Sequence, residues 1–129
     1  MRQRDAFAFY NTKATNIQWS WSAINEREKC VALTAWQDGF TNVDGKPMYH
    51  MVHNPRHSNR NLGYRELLKH IAFAREHCAG VFHVILAIAV DPKAYPRKSK
   101  RSGFEPKPGM KLKLVSFDEI NGEMWAEVV

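Results

Sequence analysis

Most of the chain alternates apolar with small or polar residues, and only one stretch repeats at helical spacing. Ala6 to Asn11 (AFAFYN) interleaves small and aromatic side chains, which predicts a partly buried strand. Trp19 to Ala23 (WSWSA) has strict period two, placing Trp19 and Trp21 on one face and Ser20 and Ser22 on the other. Asn25 to Lys29 reads as a charged turn, and Cys30 to Gln37 (CVALTAWQ) as a strand forming a hairpin with WSWSA. Asp38-Gly39 and Asp44-Gly45 are turn signals, and Pro47 to Val52 predicts a further strand. His53 to Gly63 has no apolar periodicity and predicts a loop.

Tyr64 to Cys78 is the clear helix. Tyr64, Leu67, Leu68, Ile71, Ala74 and Cys78 follow the spacing of one face, with Arg75 as an exception and Gly80 as the expected C′ residue. Val81 to Val90 is continuous and β-branched, as a central strand covered on both faces would be. Asp91 to Pro108, with its prolines and cations, predicts a long exposed loop. Met110 to Asp118 and Met124 to Val129 predict a closing hairpin around Asn121-Gly122. The expected fold class is α+β: a small, strongly bent mixed β-sheet or barrel with one main helix packed against it.

With 129 residues, 44 % hydrophobic and 25 % charged, the chain is sized and composed for one globular domain over residues 1–129. Cys30 and Cys78 form no CxxC motif, which excludes a zinc knuckle or a thioredoxin-like motif; both read as reduced thiols unless the fold brings them together. No segment has the form of a signal peptide, and Val81 to Val90 is too short to span a bilayer, so a cytoplasmic protein without a membrane partner is expected.

The formal charge of +6 favours polyanions, and its distribution matters more than its size. Arg56, His57, Arg60 and Arg65 lie among amide and hydroxyl side chains, and Lys93, Arg97, Lys98, Lys100 and Arg101 form a second cluster. Both are suited to phosphate contacts, although a solvated loop needs no ligand at all. Trp19, Trp21 and Trp36 offer faces on which an unstacked base could lie, with Asn11, Ser20 and Ser22 available to its edge. The competing reading buries the tryptophans in the core.

His50, His53 and His57 have spacing that zinc could use, but no cysteine or carboxylate joins them and Pro55 interrupts the segment. Carboxylates are dispersed at turns, and the helix macrodipole already accounts for Glu66. No nucleophile elbow, phosphate loop or dinucleotide motif occurs, and no cofactor is expected.

The early strand (here Phe7 to Asn11), the W-S-W-S-A segment, the W-Q-D that contains Trp36 and the Gly109-Met110-Lys111 strand resemble the PUA-like superfamily, which includes EVE, ASCH, YTH and SRA-type readers. The pattern is also similar to reader modules attached to HNH-type restriction enzymes. It covers Phe7 to Gln37 and, loosely, the terminal strands; Pro47 to Asn61 has no counterpart. The resemblance implies a free-standing, non-catalytic reader that captures a base, including a modified one, in a pocket helped by Trp19 to Ala23 and Trp36. Nucleic acid is the expected partner, DNA ahead of RNA. Two alternatives stay open: a small metal-dependent nuclease using the histidine series, and a protein-interaction module whose basic loops meet an acidic protein.

Overall fold

The computed structural model describes residues 1–16, 20–53, 62–94 and 98–129. Its elements are α1 (Gln3–Phe9), β1 (Ser22–Asn25), β2 (Cys30–Trp36), a 3-10 turn (Gln37–Gly39), β3 (Phe40–Val43), β4 (Lys46–Val52), α2 (Leu62–His77), β5 (Val81–Ala89), β6 (Ser99–Phe117) and β7 (Glu123–Val128). Among the described residues the strands form one seven-stranded mixed sheet in the order β1-β2-β5-β6-β7-β4-β3. The β2–β5 pair is parallel and the others are antiparallel.

The sheet is strongly bent, and chain connectivity requires it. β2 and β3 are five positions apart in the sheet order, which on a flat sheet would separate them by about 24 Å. The three-residue 3-10 turn that joins them can span no more than about 15 Å. Curling brings the far strands back: the Tyr49 hydroxyl on β4 accepts a hydrogen bond from the Trp36 backbone N–H at 3.0 Å. The curl stops short of a barrel, since β1 and β3 remain the edges.

β6 runs for 19 residues and breaks register three times, and such irregularities bend a strand. Asp91 to Pro108 was expected to be a loop, yet most of its second half is strand. Lys107 to Met110 bulge between the pairs Ile85↔Pro106 and His83↔Lys111, so Pro108 and Gly109 fall where the ladder is already interrupted. Lys100 to Gly103 bulge in the same way between Ala89↔Ser99 and Ala87↔Phe104.

Each face of the sheet carries its own core. The concave face buries Val31, Leu33, Tyr49, Phe82, Val84, Leu112, Met124 and Ala126 against Leu67, Ile71 and Ala74 of α2. The convex face buries Ala32, Ile85, Ala87 and Phe104 beneath Ala6 and Phe7 of α1. Val84 and Ile85 therefore enter opposite cores, which gives β5 the two-sided coverage its composition predicts.

The first predicted strand is instead helix α1. Gln3, Ala6, Phe7 and Tyr10 share one helical face: Ala6 and Phe7 are fully buried, while Phe9 is 56 % exposed. The Gln3 side chain donates to Ser20 O and Thr34 Oγ1, and the Tyr10 hydroxyl donates to Val84 O at 2.8 Å. A second correction concerns the end of α2. Both Ala79, at φ 53°, and Gly80, at φ 74°, take left-handed backbone as the helix ends, and Gly80 N–H bonds to Ala74 O, so the C′ position falls on Ala79 and Gly80 follows it. The helix itself, the β6–β7 hairpin and the Asp44-Gly45 turn lie where the pattern predicts them, and β2 does pair with the preceding strand, but that strand runs over Ser22–Asn25 rather than Trp19 to Ala23. Among the described residues no helix is long and apolar enough to cross a membrane.

Candidate functional site

Two consecutive residues at the start of β1 reach two histidines from different elements. Trp21 packs on the concave-side core, with its ring centroid 5.4 Å from that of His53 and the planes tilted by 33°. Ser22 is fully buried, and its hydroxyl shares a 2.7 Å hydrogen bond with His70 Nδ1 on α2. Glu66 lies one helical turn before His70 and interacts with it electrostatically. Trp21 and His53 thus form one contact pair and Ser22, His70 and Glu66 a second set, and the two are neighbours through the adjacent Trp21 and Ser22.

His53 is held there by its backbone. Its N–H donates to Gly122 O at 2.8 Å as the chain leaves β4. Gly122 has φ 78°, and a Cβ built on it would lie 1.9 Å from His53 O, so glycine is required at this approach. His53 is 6 % exposed. Burial pushes its pKa down to about 4, which leaves the ring neutral at neutral pH. Burial also lowers the pKa of His70, with Glu66 opposing the shift and Lys69 adding to it.

Two atoms of these residues are buried without a hydrogen-bond partner: His53 Nε2 and Glu66 Oε1. Such atoms cost about 1–3 kcal/mol each, and a bound molecule that satisfied them would recover that cost.

The other expected pocket residues are distributed differently. Trp36 packs against the α1-side core, on the opposite face of the sheet from Trp21, so these two do not line one cage. Trp19 lies outside the described residues. Ser20 is buried and accepts a hydrogen bond from Asn16 N–H at 3.1 Å. Asn11 is exposed at φ 60°, donates to Glu28 and accepts from Asn25 through its backbone carbonyl, and so ties the β1–β2 turn rather than joining either set.

Of the expected phosphate contacts, Arg56, His57, Arg60 and Arg97 lie outside the described residues. Arg65 is exposed on α2, Lys93 and Lys98 are exposed beyond β5, and Lys100 and Arg101 are exposed in the β6 bulge. Of the described residues, Arg65 lies near one end of β6, and Lys93, Lys98, Lys100 and Arg101 lie near the other. Val90 N–H bonds to Lys98 O where β6 begins, whereas Tyr64 OH donates to Glu119 O just past its end. About 60 Å of β6 contour separates them.

His50 and His53 diverge. His50 stacks on Trp125 at 4.0 Å and pairs with Glu123 at 2.9 Å, while His53 faces Trp21. Among the described residues no three His, Cys, Asp or Glu side chains are placed to hold a metal ion.

Sequence reasoning did not assign Glu66 and His70 to the site. A signal was present: His70 interrupts the apolar stripe of Leu67, Ile71 and Ala74, where a buried polar residue needs a partner. No family model matches the chain, and comparisons with curated proteins and with solved structures likewise found no match.

Proposed function

We propose that this protein is a non-catalytic nucleic-acid-binding module that takes an unstacked base against Trp21, beside His53, Glu66, Ser22 and His70. The observation that carries this reading is the partnerless His53 Nε2, buried next to an indole face. Stacking a base on an aromatic ring is worth about 1–3 kcal/mol, and a base edge carries the donors and acceptors that His53 Nε2 and Glu66 Oε1 lack. Arg65 near one end of β6 and Lys93, Lys98, Lys100 and Arg101 near the other supply phosphate contacts in this reading. Trp36 is omitted because it belongs to the other face. A PUA-like fold and a cytoplasmic location belong to the same proposal, as does a preference for DNA over RNA, including DNA with a modified base. The bent sheet with a helix on its concave face supports the fold assignment.

Titration of labelled single- and double-stranded DNA and RNA, each over a range of salt, tests the reading. Binding should weaken linearly in log–log form as salt rises. Absence of binding to every nucleic acid at low ionic strength would exclude it.

A further inference from the structure

Cys30, at the start of β2, and Cys78, just after α2, are both free and half-buried. They line one open hollow of about 270 Å³ with Lys29, Val81, His83 and Lys111, away from the group around Trp21. The backbone places the Cys78 sulfur close to Cys30: Cys78 Sγ–H donates to the Lys29 carbonyl oxygen at 3.2 Å, and Lys29 is bonded to Cys30. Planar peptide geometry puts that oxygen about 2.8 Å from Cys30 Cα, so the Cys78 sulfur lies within about 6 Å of it. The Cys30 thiol points to the Tyr10 carbonyl at 3.8 Å. Thiols are weak donors, and a disulfide requires the Cys30 sulfur to rotate from the Tyr10 carbonyl toward Cys78. A disulfide asks for Cα atoms about 4.4–6.8 Å apart, a closure that the last turn of a helix can accommodate.

We propose that Cys30 and Cys78 are a dithiol site that reacts with an anionic low-molecular-weight disulfide, such as oxidised glutathione, and ends as an intramolecular Cys30–Cys78 disulfide. The Lys29 and Lys111 ammonium groups at the hollow complement the reagent's carboxylates. Cys78 reacts first. Burial raises both thiols, but the Lys29 ammonium draws Cys78 back down, whereas the Glu28 carboxylate pushes Cys30 further up. The Cys78 thiol gives its proton to solvent and attacks one reagent sulfur. The reagent S–S bond breaks, and the departing thiolate takes up a proton. The deprotonated Cys30 thiol then attacks the Cys78 sulfur of the mixed disulfide and releases the second reagent thiol. Two protein thiols are oxidised, and one reagent disulfide is reduced to two thiols.

The test is mass spectrometry of non-reduced digests after timed exposure of the intact protein to oxidised glutathione at mildly alkaline pH. A Cys30–Cys78 linked peptide should form after a transient glutathione adduct on Cys78, and dithiothreitol should reverse it. C30S should stop at the Cys78 adduct, and C78S should leave Cys30 largely unmodified. K111E should slow the first step several-fold with oxidised glutathione and leave the rate with the neutral 2-hydroxyethyl disulfide unchanged; thermal unfolding confirms that each variant is folded. An adduct that appears first on Cys30, or a wild-type product that remains singly glutathionylated or links two chains, would overturn the proposal.

Discussion

Replacing His53 by leucine separates stability from binding at the proposed site. The isobutyl group is close to imidazole in size and has no polar atom to leave unpaired. Removing the buried, partnerless Nε2 recovers about 1–3 kcal/mol. Losing the ring contact with Trp21 costs about 0.5–1.5 kcal/mol. The net is a gain of about 1 kcal/mol at neutral pH, or an increase in Tm of about 3–5 °C for a chain of this length.

Proton linkage amplifies the difference in acid. The unfolded chain protonates His53 near 6.5, but the folded chain does so only near 4. Between those values the unfolded state binds the extra proton, so wild-type stability falls as pH falls, and the loss is complete below about 4. At about 1.4 kcal/mol per tenfold change in proton affinity, this amounts to about 3 kcal/mol. The variant lacks that loss, so its advantage should grow as the pH is lowered through this window. Urea denaturation at a series of pH values measures it, and taking the difference between the two proteins cancels the carboxylates they share. A variant less stable than wild type at neutral pH, or an advantage that stays flat from 6.5 to 4, would refute the reasoning. The same substitution should weaken nucleic-acid binding, a combination of effects expected of a polar atom kept for a ligand.

Ser22→Ala leaves His70 Nδ1 buried without its partner and should cost about 1–3 kcal/mol in denaturant unfolding. Ala79→Gly removes the strain of a left-handed non-glycine residue and should raise stability by about 0.5–1 kcal/mol in the same assay. Gly122→Ala places a Cβ against the His53 carbonyl at positive φ and should cost about 2 kcal/mol or more, together with binding, as read by thermal unfolding and nucleic-acid titration. Lys98→Ala should weaken binding to all sequences alike and reduce the salt slope by about one, whereas a change confined to particular sequences would argue against a phosphate contact there.

The parts of the fold legible in the sequence are those where a single face decides the pattern. Leu67, Ile71 and Ala74 give α2 its apolar stripe, and the β6–β7 hairpin carries the Asn121-Gly122 turn. Helix α1 was hidden because its buried pair, Ala6 and Phe7, is adjacent, while Phe9 points to solvent and completes a misleading alternation. Strand β6 was hidden because Pro108 and Gly109 normally end a strand, and here a register break absorbs them. The aromatic site was half legible. WSWSA drew attention to Trp21 and Ser22, but β1 begins only at Ser22, so Trp21 does not follow the strand's alternation: it joins the concave core while Ser22 is buried. Trp36 follows the alternation of β2 onto the α1 side, whereas Trp21 lies just before β1 and escapes its alternation, so local periodicity did not show that the two occupy opposite faces.

The central claim, a base held against Trp21, is tested most directly by titrating a labelled single-stranded oligonucleotide into wild type and into Trp21→Leu at low salt, with unfolding curves confirming that the variant is folded. Loss of stacking worth about 1–3 kcal/mol predicts affinity weaker by about 5- to 150-fold, with the salt slope unchanged because no phosphate contact is lost. Equal affinities for the two proteins would contradict the account.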